Sequence, residues 1–424
     1  MNNLTHANGP LHGVRVLDLT RVLAGPFCTR LLADMGAQVI KLEPPGGDPA
    51  RQFEFISTEG ISGYFMQQNC GKKDISLDLT NPQAQEAVRE LAAISDVVVE
   101  NFRPGVMKRL GIGYSDLLKI NPSIILCSIS AFGQNSRFAH RPAGDMVIQA
   151  MSGIASLTGE PDGPPQTTGM SISDTTGGLH AFGGICAALY ERTIAGKGQF
   201  LDIALIDCVM WQNEWASQYL FLTDGKLEPK RYGNRRPILI PGNLFKGRDG
   251  WISIVASTDP GWRNLTRAMG CPELSEDPRF KNRKVRMEHR DELESFVSNW
   301  VMSFKSVESV EDLLADRGGV QCGRVRTWKE MLEDSHTKER GLVAQVEDPV
   351  LGNVSVMNSP FRTETSSIGI RGPAPLIGQH SSEIFQDILG YSSQHILDLV
   401  NENALFADEK VMPTLVETLM QTDH

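Results

Sequence analysis

Hydrophobic positions in the first 200 residues fall into short continuous runs and longer helical stripes, and the two alternate. Val14-Arg15-Val16-Leu17-Asp18-Leu19 predicts a strand, broken by Gly25-Pro26. Phe27, Leu31 and Met35 share one helical face, and Gly36 suits the residue just past that helix. Gln38 to Leu42 returns as a strand. Two strands joined through a helix lie parallel, because a crossover of that length cannot close a hairpin.

The pattern recurs. Asn81-Pro82 opens a helix to about Ala93, with proline in the first turn. Asp96-Val97-Val98-Val99 predicts a buried strand, Tyr114 to Lys119 a helix, and Ser123 to Ile129 another strand. This alternation predicts an α/β fold with a doubly wound parallel sheet. Gly196-Lys197-Gly198 predicts a turn into a strand from Gln199 to Ile203, and Ala204 to Leu222 one long apolar helix.

Ligands in such sheets bind beyond the carboxyl ends of the strands. Those ends carry Thr20 to Pro26, Glu100 to Gly105 and Ser130 to Gly133, which the topology gathers at one rim. The first strand-to-helix turn has no G-x-G-x-x-G, and the chain has no G-x-x-x-x-G-K-[ST]. Neither a dinucleotide nor a nucleoside triphosphate site of those types is predicted.

The chain has 424 residues, which predicts more than one core. A domain boundary is expected near residue 225, where Asp224-Gly225-Lys226 and a basic stretch from Lys230 to Arg236 interrupt the apolar pattern. The expected division is a large domain over 1–200, a linker helix over 201–225 and a small α+β domain over 226–325. A second linker over 326–345 precedes a C-terminal part over 346–424. A net charge of -10 argues against a nucleic-acid-binding surface. Seven dispersed cysteines without C-x-x-C fit free thiols in a cytoplasmic protein, and no metal site is expected from the scattered histidines. The polar N-terminus predicts no secretory leader, and no apolar run predicts a membrane span.

The stretch Gly-Met-Ser-Ile-Ser-Asp-Thr-Thr-Gly-Gly-Leu-His, residues 169–180, sets Asp174 among small residues at the start of an apolar helix. Glycine and serine leave such a carboxylate open to a ligand. With an ordinary carboxyl pKa it is expected to be ionised at neutral pH, able to act as a nucleophile without a base. On residue types alone, most aspartates in such a stretch cap a helix and do nothing else.

Five segments carry a resemblance to a known family. They are residues 14–51 (VRVLDLTRVLAGPFCTRLLADMGAQVIKLEPPGGDPAR), VVVENFRPGVMKRLGIGY, GDMVIQAMSGIASLTGEPDGPP, SISDTTGGLHAFGGICAALYERTIAGKGQFLDIAL and APLIGQHSSEIFQDILGY. In this combination and order the chain resembles the class III coenzyme A transferases, a group with formyl-CoA transferase and carnitine CoA-transferase. The resemblance implies a Rossmann-like sheet in a discontinuous large domain, to which the C-terminal part returns. It also implies a homodimer whose subunits interlock like links.

It implies, too, that Asp174 is the catalytic residue, relaying CoA from an acyl-CoA to a free carboxylic acid through an aspartyl-CoA intermediate. No tightly bound cofactor, membrane or nucleic acid is involved. Val22, Leu23 and Ala24 match positions at the thioester end of CoA. Asn101, Phe102 and Arg103 match the adenosine and phosphate region, Arg109 a phosphate contact, and Ser130, Ala131, Phe132 and Gly133 the thioester vicinity. A covering loop maps to Ile238 through Gly242 and Asn243, with one glycine where formyl-CoA transferase has several. Leu23, Ser130 and about Pro44 replace a glutamine, a lysine and an arginine of that enzyme, which implies another acyl group. Arg235-Arg236 is a candidate holder for the far carboxylate of a dicarboxylic substrate.

The same fold houses α-methylacyl-CoA racemase, whose histidine base would fall on Gly144; His140 lies four residues earlier. A two-base racemase would therefore lack one base. A non-catalytic acyl-CoA-binding protein is the remaining alternative.

Overall fold

The computed structural model describes residues 8–53, 57 and 59–421. The chain divides into two compact units. The first is assembled from residues 1–154, 168–215 and 336–424, the second from 155–167 and 216–335. Residues 155–167 thus belong with the second unit, although they precede the Asp174 segment in the chain.

The first unit is built on a seven-stranded sheet. Its strands are β1 (Arg15–Asp18), β2 (Gln38–Glu43), β3 (Lys73–Leu77), β4 (Val97–Glu100), β5 (Ile125–Ser130) and β6 (Phe200–Ala204), closed by a two-residue edge strand, Leu405–Phe406. The order is edge-β3-β2-β1-β4-β5-β6, parallel except for the edge strand, which pairs antiparallel with β3. Residues of β4 alternate between two cores, as the period of a strand dictates. Val98 faces one core with Leu17, Ile40, Ile75 and Leu126, while Val97 and Val99 face the other with Val16, Val39 and Cys127. The helices Pro82–Ala93 and Ser393–Asn401 cover the first face; Ala24–Asp34 and Ile172–Ala195 cover the second. Each fully buried Val, Leu or Ile contributes about 1.5–3 kcal/mol, so both layers are needed to hold the sheet.

The helix expected from Ala204 to Leu222 is two helices, Leu205–Gln212 and Ala216–Leu222. Between them Asn213 is extended, and its side-chain oxygen accepts the Trp215 N–H at 3.3 Å, a local bond that competes with helix. Trp211, in the first of the two helices, is 79% exposed.

The second unit holds a three-stranded antiparallel sheet, Gly242–Lys246, Trp251–Val255 and Gln321–Arg324, with helices Asp259–Ala268 and Arg290–Ser303. Its own core centres on Phe245, Ile252, Trp262 and Val297. Among the described residues no helix is long and apolar enough to cross a membrane, and no cluster of His, Cys, Asp and Glu could hold a metal ion.

Candidate active site

The strand order reverses between β1 and β4, and the crevice at such a reversal, outside the carboxyl ends of the strands, is where α/β sheets bind ligands. A cavity of about 740 Å³ opens there. It is lined by Arg21 to Ala24 after β1, Pro44 and Pro45 after β2, and Leu77 to Thr80 at and after β3. Asn101 to Pro104 follow β4, and Ser130 to Phe132 end β5. Leu42, Val106, Leu110, Ile129, Ala139, Arg141 to Gly144, Leu205 and Asp174 complete the wall.

The turn after β1 is fixed by side chains. Asn101 accepts the Arg21 N–H and donates to the Arg21 carbonyl, both at 2.8 Å, tying the ends of β1 and β4 together. The Arg21 guanidinium lies 5.1 Å from the centre of the Phe102 ring. Val22 has φ 67°, a left-handed conformation that a β-branched residue adopts at a cost of about 1–3 kcal/mol.

Asp174 stands in the first turn of Ile172–Ala195, three positions past the N-cap Ser171. Two glycines on this helix, Gly177 and Gly178, bring it against its neighbours. A Cβ at Gly178 would lie 2.7 Å from the Ala24 carbonyl oxygen, and one at Gly177 would lie 2.2 Å from Leu205 Cδ2. That close approach brings Asp174 to the rim shared by Leu23, Ala24 and Leu205.

The cap of this helix is supplied from elsewhere. Asp145, opening the helix Asp145–Met151, accepts the Ser173 N–H at 2.9 Å and the Ser173 hydroxyl at 2.5 Å. The Asp174 carboxylate makes no hydrogen bond or ion pair among the described residues. Two carboxylates line the cavity among the described residues; the other, Asp78, is taken by the Thr80 N–H at 2.9 Å and hydroxyl at 2.8 Å. Burial, and then the nearby charge of Asp145, push the Asp174 carboxyl up to about 7. The expectation of an ordinary ionised carboxylate is thereby corrected: near neutrality Asp174 is shared between its two protonation states. Its charge, with those of Asp48 and Asp145, adds to burial in pushing the Tyr64 phenol up to about 12.

Of the residues singled out in the sequence, Val22, Leu23, Ala24, Asn101, Phe102, Arg103, Ser130, Ala131, Phe132 and Asp174 line this one cavity. The Ser130 hydroxyl accepts the Gly133 N–H at 3.1 Å and so holds the turn, in which Gly133 has φ 80° and is not part of the lining. Arg109 is exposed and is not part of the lining, although Val106 and Leu110 beside it are. Gly242 and Asn243 begin a strand of the second unit, and Asn243 donates to Glu294 at 3.2 Å. Arg235 is engaged by Asp291 and Glu294, each at 2.8 Å, so its charge is spent within the second unit rather than offered to a substrate. Met146, Met151 and Met170 are exposed and line nothing here.

Arg141, a guanidinium group in the wall, and the end of β3 were not indicated by the sequence; Arg21 was placed at the rim but given no role. The strand β3, Lys73-Asp74-Ile75-Ser76-Leu77, carries buried polar residues and so gives no apolar run from which its end could be read.

Fold, cavity and free carboxylate define an α/β protein with an unpartnered carboxylate at the switch point of its sheet, and comparison with known proteins gives the class. The model of CoA-transferase family III matches residues 11–381, and the chain belongs to that family. It is 38% identical to succinyl-CoA–D-citramalate CoA-transferase of Chloroflexus aurantiacus, over 91% of this chain and 96% of that one. It is 37% identical to succinyl-CoA:glutarate CoA-transferase of Mus musculus, over 92% and 89% of the two chains. A crystal structure of a CAIB/BAIF family protein from Brucella suis superposes with a TM-score of 0.79 at 33% identity, covering 90% of this chain and 99% of that one. The chain is a class III CoA-transferase, an enzyme.

Proposed function

We propose that this enzyme moves CoA from a dicarboxylic acyl-CoA, succinyl-CoA in the first instance, to a second dicarboxylic acid of similar length, with Asp174 as the covalent relay. The observation that carries the mechanism is the free Asp174 carboxylate in the cavity wall, beside a capping carboxylate that is fully occupied. The names of the two relatives support the substrate class.

An Asp174 oxygen attacks the thioester carbonyl carbon. The tetrahedral oxyanion collapses with loss of the C–S bond, leaving an acyl-aspartyl anhydride and CoA thiolate. The thiolate attacks the aspartyl carbonyl and expels the donor acid as its carboxylate, leaving Asp174 as a CoA thioester. The acceptor carboxylate attacks that thioester, and the same steps run in reverse release the new acyl-CoA and restore Asp174. No proton is consumed and no nucleotide is needed, because each leaving group is a stable anion. Val22, Leu23 and Ala24 hold the thioester end, with N–H groups at the start of the Ala24–Asp34 helix near the developing oxyanion. Arg21, Phe102, Arg103 and Arg141 grip the nucleotide end, Arg109 reaching it from outside the wall; guanidinium forks suit phosphate oxygens. The same reading makes the protein an interlocked cytoplasmic homodimer in which Gly242 and Asn243 close over a site. Exposed Tyr190, Ile194 and Trp211 give it apolar surface to bury.

An isomerase of the racemase kind is disfavoured. Gly144 stands where that second base would be, His140 is exposed, and among the described residues no histidine lines the cavity. The test is transfer: succinyl-CoA with glutarate, citramalate or mesaconate, followed by mass spectrometry of the acyl-CoA products. New acyl-CoA formed in step with succinate supports the reading. No transfer, with solvent deuterium entering a 2-methylacyl-CoA, overturns it.

A further inference from the structure

Four consecutive backbone groups between β1 and the Ala24–Asp34 helix are each held by a side chain. Lys41 donates to the Thr20 carbonyl at 2.9 Å. Asn101 takes both the N–H and the carbonyl of Arg21. Asp48 accepts the Val22 N–H, its two oxygens lying at 3.1 and 3.2 Å. Lys41 and Asp48 are themselves paired at 3.0 Å, and both side chains are fully buried. Asp48 is fixed in turn: it accepts the Ala50 N–H at 2.9 Å, and its own N–H goes to Glu43 at 2.6 Å. Neither Lys41 nor Asp48 lines the cavity.

A buried ion pair spent on the backbone of one turn needs a reason, because burying two charges is costly. Its Lys41 half holds Thr20, and its Asp48 half holds Val22, the one non-glycine in this turn with positive φ. Left to itself a valine there turns to negative φ, and the next residues, Leu23 and Ala24, swing with it. Strain of this kind persists only where the surroundings over-determine it.

We propose that Asp48, anchored by Lys41, is a positioning residue of the transfer reaction: it locks Val22 in its left-handed conformation and so fixes Leu23 and Ala24 against the reacting carbonyl and Asp174. The inference rests on the reading of this turn as the thioester site. Asp48 itself touches no substrate.

The test is Asp48→Asn, assayed with succinyl-CoA and glutarate, alone and combined with Val22→Gly. A misplaced turn costs kcat about tenfold to a hundredfold. CoA affinity by calorimetry changes by less than about threefold, since most contacts with CoA lie elsewhere. Glycine adopts positive φ without a clamp, so Val22→Gly in the Asp48→Asn background recovers kcat by about fivefold or more. A merely structural Asp48 gives a lowered Tm with kcat within about twofold of the parent, or a loss that Val22→Gly does not relieve; either result overturns the proposal. If Asp48→Asn does not fold, Lys41→Met/Asp48→Leu removes both charges together, which buried pairs tolerate, and is read the same way. Hydrogen exchange of residues 21–24 judges the clamp without turnover: exchange about tenfold faster in the variant supports it, and unchanged exchange overturns it. A parent protein that transfers no CoA therefore overturns the functional reading, while exchange still decides the clamp.

Discussion

Asp145 accepts the backbone N–H of Ser173 at 2.9 Å, and so caps the helix that carries Asp174. The two acidic residues thereby divide what one could have done. Asp145 spends its oxygens on Ser173 and on Gln149, whose side-chain amide donates to it at 2.7 Å. Asp174 keeps both of its own for the cavity. An aspartate in a Ser-Asp-Thr-Thr stretch reads as a cap; here the cap lies 28 residues upstream of Ser173 in the chain.

Asp145→Asn retains an oxygen for Ser173 but removes a like charge near Asp174. The acidic limb of kcat/KM should move to lower pH while remaining above the ordinary carboxylate range, because burial is the larger cause of the shift. A pH-rate profile of the variant checks this, and an unmoved limb would remove Asp145 from the electrostatics of the site.

The nucleophile must be ionised, so kcat/KM of the parent should rise with pH through about 7. Glu100, held by burial at about 7 as well and accepting the Phe102 N–H at 2.7 Å, is the competing source of such a limb. Glu100→Gln should leave the limb in place, and its disappearance would reassign it.

Stability carries the same signature with the opposite sense. The folded value of Asp174 lies above its unfolded value of 3.8, so the stability it contributes is present below 3.8 and lost as pH rises through about 7. Asp174→Asn escapes that loss. Its Tm relative to the parent should rise by about 1–3 °C between pH 5 and pH 8, measured by calorimetry.

Gly178→Ala places a methyl 2.7 Å from the Ala24 carbonyl and 2.9 Å from Phe27 Cδ1. Overpacking at this helix crossing should cost about 1–3 kcal/mol in denaturant unfolding. It should also lower kcat, since the same crossing sets Asp174 beside Leu23 and Ala24.

Lys72 is buried among Asp18 at 3.0 Å, Thr29 at 2.8 Å and Asn69 at 2.8 Å. Lys72→Met leaves Asp18 buried without its cation and should destabilise the fold by about 3–5 kcal/mol. Urea unfolding measures it, and a change within 1 kcal/mol, roughly the spread of a surface substitution, would contradict the account.

Much of the sheet was legible because β1, β2, β4 and β5 are apolar runs bounded by turns. β3 was not, since Lys73, Asp74 and Ser76 are polar; two of them, Asp74 and Ser76, are buried, and Asp74 accepts the Gly378 N–H at 2.6 Å. That partner lies 304 residues away, beyond any local pattern. The residues of the wall that the family resemblance indicated were those at strand ends. Arg141 and the clamp at Asp48 were missed, and Arg21 was placed at the rim without a role, because their significance lies in what they touch, not in their spacing. The break at Asn213 was hidden by the apolar residues on both sides of it.

The central claim is that Asp174 carries the acyl and CoA groups in turn. The direct measurement is mass spectrometry of the intact protein mixed with succinyl-CoA, with and without hydroxylamine, beside Asp174→Ala. The account predicts a CoA adduct on the parent, a hydroxamate mapped to Asp174 after hydroxylamine, and neither on the variant. Transfer that proceeds with no adduct, or an adduct that survives Asp174→Ala, would contradict it.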